Sequence, residues 1–191
     1  MSENRPNSTQ LVIQSIVTGA IEPALALLPF KLGSGVAKVI MVAYGLKESD
    51  LTARKQFGNG PARGLWQFEL GHPTKGGGVW GVVNHGASKE LLSKLCQARG
   101  LPFDAAAIYR NLQHDDILAA GLARLLMWTD RKALPTTQDS AWEMYAYRTW
   151  CPGKPNAEKW PASWAAAVSY GLANGWVTVG DKGELRDVQR S

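Results

Sequence analysis

From Gly35 to Lys47 the chain reads GVAKVIMVAYGLK, with Val36, Val39, Ile40, Ala43 and Tyr44 at helical spacing and almost no polar face. A helix apolar on nearly every side belongs inside a domain, and Ser34 stands where its N-cap is needed. Further helices follow the same logic. Ser88 opens KELLSKLCQAR, which Gly100 stops, and Asp104 opens AAAIYRNLQ. Asp115 opens DILAAGLARLLMW, Asp139 opens SAWEMYAYRTW, and ASWAAAVSYGLAN ends at Gly175. Residues 11–30, LVIQSIVTGAIEPALALLPF, are apolar but carry Glu22 and Pro23 in their middle. That predicts an amphipathic or buried helix pair, because a membrane span needs about 20 apolar residues. No stable membrane insertion is expected.

Between the helices, residues 51–87 hold most of the punctuation: Gly58-Asn59-Gly60-Pro61, His72-Pro73 and Gly76-Gly77-Gly78. Such clusters predict loops with at most short strands. The polar residues 1–10 read as a flexible N-terminus, 11–175 as one domain, and 176–191 as a C-terminal tail holding at most a short strand. The fold class is mostly α, with at most a small β-hairpin. A chain of 191 residues is long enough to bury its own core.

Composition refines this picture in three places. Twenty-one Lys and Arg against sixteen Asp and Glu give +5, which suits a polyanionic partner such as an acidic cell envelope. The basic residues are scattered, so nucleic acid is not an expected partner. Eight tryptophans are many; most belong to the core, although aromatic clefts also bind sugars. Cys96 and Cys151 allow one disulfide without requiring it, and both read as small buried hydrophobes. His72, His85 and His114 lack metal-site spacing, so neither metal nor cofactor is expected. KGGGVWG lacks the Gly-Lys-Ser/Thr ending of a phosphate-cradling loop.

Glu48 is the residue of most chemical interest. It sits at the end of the buried helix, where the terminal carbonyls disfavour a carboxylate, and burial disfavours it too. Both effects raise its pKa, as does any negative charge from Asp50, and a raised pKa suits a proton donor near neutral pH. On this segment alone the plainer expectation is a helix-end glutamate that reaches water.

A resemblance changes that expectation. Glu48-Ser49, followed 19 positions after the Glu by Gln67 in Gly64-Leu65-Trp66-Gln67, is similar to the first two motifs of the soluble lytic transglycosylases of the lysozyme-like superfamily. In that family a helix ends in Glu-Ser and a loop leads to Gly-Leu-Met-Gln. Ile117-Leu118-Ala119-Ala120-Gly121 resembles the third motif, Asn-Ile-x-x-Gly, with Ile for Asn. Ala146-Tyr147 followed by Arg148 resembles the fourth, with Arg for Asn. The likeness runs in family order from about Val36 to Gly153, and the long gap from Gln67 to Tyr147 places an insertion at residues 71–87.

The resemblance implies a lysozyme-like fold with a cleft beside the central helix, and an enzyme that degrades peptidoglycan. Glu48 would protonate the glycosidic oxygen between N-acetylmuramic acid and N-acetylglucosamine. As a carboxylate it would then take the C6 hydroxyl proton while that oxygen closes on C1, giving a 1,6-anhydro sugar. Ser49 would orient Glu48 by a hydrogen bond, and Tyr147 would hydrogen-bond to it or support the developing oxocarbenium charge. Gln67 with the backbone of Gly64, Leu65 and Trp66 would hold sugar amides, and Trp66 would supply an apolar wall. Arg63 would be available for a carboxylate, although a solvated arginine is the commoner outcome.

Three other functions remain open, one of them a membrane-active protein relying on residues 11–30. Glu69 is the best second carboxylate for a muramidase, which would hold its pair about 6.5–9.5 Å apart if inverting; a solvated loop glutamate is the plainer reading of it. A virion structural or wall-binding protein on the same fold would need neither. The chain shows no secretory signal, so the expected setting is a phage virion or the host cytoplasm, acting on periplasmic peptidoglycan during penetration or lysis. Expected partners are peptidoglycan and, in a particle, other tail or internal core proteins.

Overall fold

The computed structural model describes residues 7–189. Residues 1–6 of the expected flexible N-terminus, and 190–191 of the expected tail, lie outside the described residues. Residues 8–10 are already helical, because Asn7 caps them in a reciprocal capping box with Gln10.

Helix α1 (Ser8–Ile16) runs through a π turn (Val17–Ile21) directly into α2 (Glu22–Ala26), so the expected helix pair is one interrupted helix. Pro23 has no N–H to donate. The wider turn, closed by Glu22 N–H on the Val17 carbonyl, absorbs it without ending the helix.

The central helix is α3 (Gly35–Ser49), capped as expected by the Ser34 side chain on Ala37 N–H. It is buried from Val36 to Leu46 and packs most extensively on α9 (Trp160–Ala173). Helix α7 (Asp116–Trp128) also packs on it, with α5 (Lys89–Ala98) against α7, and α6 (Ala105–Asn111) and α8 (Gln138–Met144) complete the helical wall. Asp104 and Asp115 cap α6 and α7 as the sequence predicts. The cap of α8 is Thr137 rather than Asp139, and Ser88 turns its hydroxyl to the Val82 carbonyl (2.8 Å) instead of capping α5.

Two expectations need correction. Residues 51–87 are not all loop: α4 (Gly78–Asn84) buries Val79, Val82 and Val83, an i, i+3, i+4 set hidden by the glycines before it. Nor is the C-terminal stretch a loose tail. Strands β1 (Val177–Val179) and β2 (Leu185–Asp187) pair antiparallel, burying Trp176, Val177 and Leu185. The Asp187 carboxylate accepts from Val36 N–H at 2.7 Å, so the hairpin helps cap the central helix. Asp187→Ala should cost about 1 kcal/mol, read as a lower denaturation midpoint with an unchanged slope. The chain is mostly helical with one small hairpin, as the pattern predicts.

Candidate active site

At the end of α3 the chain reverses through two successive left-handed residues, Asp50 (φ 51°) and Leu51 (φ 55°). Asp50 N–H bonds to the Leu46 carbonyl (3.0 Å) and Leu51 N–H to the Gly45 carbonyl (3.3 Å). That closure satisfies carbonyls a helix end would leave bare, and backbone strain of this kind concentrates at functional sites. It leaves Glu48, partly buried, on the wall of a cleft of about 1050 Å³.

The Gly64-Leu65-Trp66-Gln67 stretch is a tight turn. Gln67 N–H bonds to the Gly64 carbonyl (2.9 Å), and Arg63 pairs with Phe68 on either side. Gly64 takes φ 72°, and a Cβ there would stand 2.8 Å from the Leu112 carbonyl, so only glycine fits against the neighbouring chain. The turn points Leu65 and Trp66 inward, both at 0% exposure. The Trp66 indole donates to the Met41 carbonyl of α3 at 2.9 Å. The expectation that Gly64, Leu65 and Trp66 face substrate is therefore corrected: they fix the turn to the core and do not line the cleft.

Gln67 does line the cleft, held at φ 48°. Its amide nitrogen is committed to the Ala53 (3.1 Å) and Gly64 (2.9 Å) carbonyls, which leaves its side-chain oxygen as the available polar atom. Ser49 does not orient Glu48. Its hydroxyl donates to the Leu65 carbonyl at 2.6 Å, tying the helix end to the turn.

The partner of Glu48 is Tyr145, whose hydroxyl donates to a Glu48 carboxylate oxygen. Tyr147, the expected partner, is 66% exposed and faces away. Ala141, Met144 and Tyr145 form the buried i, i+3, i+4 face of α8, and two positions further along a helix lies nearly the opposite side. A π turn over Tyr145–Thr149 then widens the helix end, and it brings Arg148 and Trp150 to the cleft. Sequence reasoning missed Tyr145 although that face was legible.

The electrostatics follow from this packing. Burial pushes the Glu48 carboxyl above the usual carboxylate range, against opposing pulls from the Tyr145 hydroxyl and Lys47. Burial, reinforced by the Glu48 charge, holds Tyr145 far above an ordinary phenol, so it remains a donor. Tyr145 is packed among Tyr44, Trp142, Trp150 and Trp160, with ring centroids 5.3, 5.3, 6.1 and 6.4 Å away. Most of the tryptophans that the sequence assigned to the core are in this cluster or beside it.

Other expected residues are placed as follows. Glu69 is exposed on the cleft lining. Asp50 is paired with Lys159 at 3.1 Å on the surface. Arg63 is spent on the Gly60 (2.6 Å) and Ala62 (2.8 Å) carbonyls. Arg148 is held by Asp130 at 2.7 Å and Glu143 at 2.9 Å. Residues 71–87 wall one side of the cleft through Gly71, Gly77, Gly78, Gly81 and His85. Cys96 is buried and Cys151 exposed, and they are not bonded; burial pushes the Cys96 thiol up to about 11.

No family model, characterised protein or solved structure matches this chain. What the site can do rests on its own chemistry. A carboxyl whose pKa is raised by burial, on a cleft wall with a neutral phenol on one oxygen, can give a proton to a bound ether oxygen and take one back. Because the Tyr145 bond favours the charged carboxylate, Tyr145→Phe should raise the Glu48 pKa further. The basic limb of any pH–rate profile then moves to higher pH while the rate falls about tenfold. Tyr147→Phe should leave both unchanged.

Proposed function

We propose that the chain is a peptidoglycan lytic transglycosylase, cleaving the β-1,4 bond between N-acetylmuramic acid and N-acetylglucosamine. The observation that carries this reading is the pairing of cleft-lining Glu48 with the buried Tyr145 behind it: one carboxyl, its pKa raised by burial, with a fixed hydrogen-bond donor. Glu48 protonates the leaving oxygen as the C1–O bond breaks. The resulting carboxylate then takes the proton of the muramic C6 hydroxyl while that oxygen bonds to C1, and no water is consumed. Tyr145 steadies the carboxylate between the two transfers. The side-chain oxygen of Gln67 accepts from a sugar amide N–H. The net charge of +5 favours approach to an anionic wall. The setting proposed with it is a phage, where the protein works in host penetration or lysis, in the first case beside other virion proteins.

Exposed Glu69 on the same cleft supports a second reading, a muramidase in which Glu69 activates water for the same bond. Release of soluble fragments from purified peptidoglycan by wild type, Glu48→Gln and Glu69→Gln tests both. Loss of release in Glu48→Gln alone supports the transglycosylase. Loss in both variants supports the hydrolase, and no release by wild type removes both readings.

A further inference from the structure

Two residues on the lip of the cleft, Lys55 and Phe57, have no part in the proton transfers. They belong to the loop 55–63, whose ends are joined where Lys55 pairs with Arg63. The loop is tied down from several sides. Gln56 N–H bonds to the Ala62 carbonyl (3.1 Å), and Ala62 N–H bonds back to the Gln56 side chain (3.1 Å). Arg63 holds the Gly60 carbonyl at 2.6 Å, and the Tyr109 hydroxyl donates to the Pro61 carbonyl.

At its tip, Gly58 (φ 67°) and Asn59 (φ 59°) are both left-handed, and Phe57 stands 95% exposed. A single exposed apolar side chain is ordinary, and Phe30, at 96%, is such a case. Phe57 differs because it lines the same cleft as Glu48 and its loop is fixed. The charges on the lining add a second observation. Arg148 is held by Asp130 and Glu143, and Lys159 by Asp50. Among the described residues Lys55 has no carboxylate partner, and its ammonium rests only on the Asn59 side-chain oxygen at 3.1 Å.

A flat apolar ring beside an unneutralised cation fits a ligand with an apolar face and a carboxylate. A β-linked hexopyranose presents such a face, since its equatorial substituents leave axial C–H groups in one plane. Building on the proposed glycan-cleaving reading, we infer that Phe57 and Lys55 form a subsite for a carboxylate-bearing amino sugar. The sugar ring stacks on Phe57, and the lactyl or stem-peptide carboxylate reaches Lys55. The site thereby distinguishes wall glycan from neutral glycans of the same linkage.

Calorimetric titration of the full chain carrying Glu48→Gln, which prevents turnover, tests this with two probes. One is a neutral β-1,4 tetramer of N-acetylglucosamine; the other is a tetrasaccharide-peptide fragment of peptidoglycan. Adding Phe57→Ala should weaken both about tenfold. Adding Lys55→Gln should weaken only the carboxylate-bearing fragment, by about fivefold. Affinity unchanged by Phe57→Ala, or weakened equally for both probes by Lys55→Gln, overturns the subsite. Binding of neither probe overturns it together with the glycan reading. Phe57-dependent binding, in a protein whose wild type releases no wall fragments, keeps the subsite and removes the enzyme.

Discussion

Glu48→Gln should slow the release of wall fragments by roughly 10²–10⁴-fold, while the protein becomes more stable near neutral pH. The two effects have one cause. Burial raises the Glu48 pKa in the folded chain above its unfolded value, so the folded state binds that proton more tightly. The resulting stabilisation is complete below the unfolded pKa and is lost as pH rises through the folded one. Glutamine keeps the carbonyl that accepts from Tyr145 and never ionises. Its melting temperature should therefore exceed that of wild type at about pH 8, with the gap closing towards about pH 4. Thermal unfolding across that range checks the sign. A variant less stable than wild type at the higher pH, or a gap that widens on acidification, would mean that folding does not raise the Glu48 pKa.

Trp66→Ala should lower stability by about 3–5 kcal/mol. That is a large fraction of the roughly 5–15 kcal/mol that holds a domain folded. The side chain is fully enclosed, its indole bonds to Met41 in α3 (2.9 Å), and its own carbonyl accepts from the Trp150 indole at 3.0 Å. Removing it leaves a cavity beneath the helix that carries Glu48 and detaches a turn that also positions Gln67. Urea unfolding measures the loss directly. If stability barely changed while glycan affinity collapsed, Trp66 would be a substrate wall after all.

Much of the fold was legible because its signals are local. Ser34, Asp104 and Asp115 cap the helices they precede, since a side-chain oxygen three residues before an orphan N–H needs no distant partner. The apolar run of α3 required burial wherever the rest of the chain went. What stayed hidden depends on contacts made across the sequence. The glycines at 76–78 read as loop, although Val79, Val82 and Val83 carried a helix face that only the packed wall makes worth burying. Asp187 caps α3 from 151 positions away, which no local pattern encodes.

The candidate site divides in the same way. Glu48 and Gln67 both line the cleft. Gly64, Leu65 and Trp66, although part of the same motif, serve the turn and the core. The tyrosine was misplaced because the motif was matched by position along the chain, whereas the buried face of α8 decides which phenol reaches Glu48. Arg148 is held by Asp130 and Glu143, ion pairs visible only once the helices are packed.

The reaction itself is the most direct test. Wild-type protein incubated with purified peptidoglycan should release muropeptides ending in 1,6-anhydro-muramic acid, identified by a mass one water lower than the reducing-end form, and Glu48→Gln should release none. Reducing-end products would contradict a mechanism that consumes no water and would turn attention to Glu69.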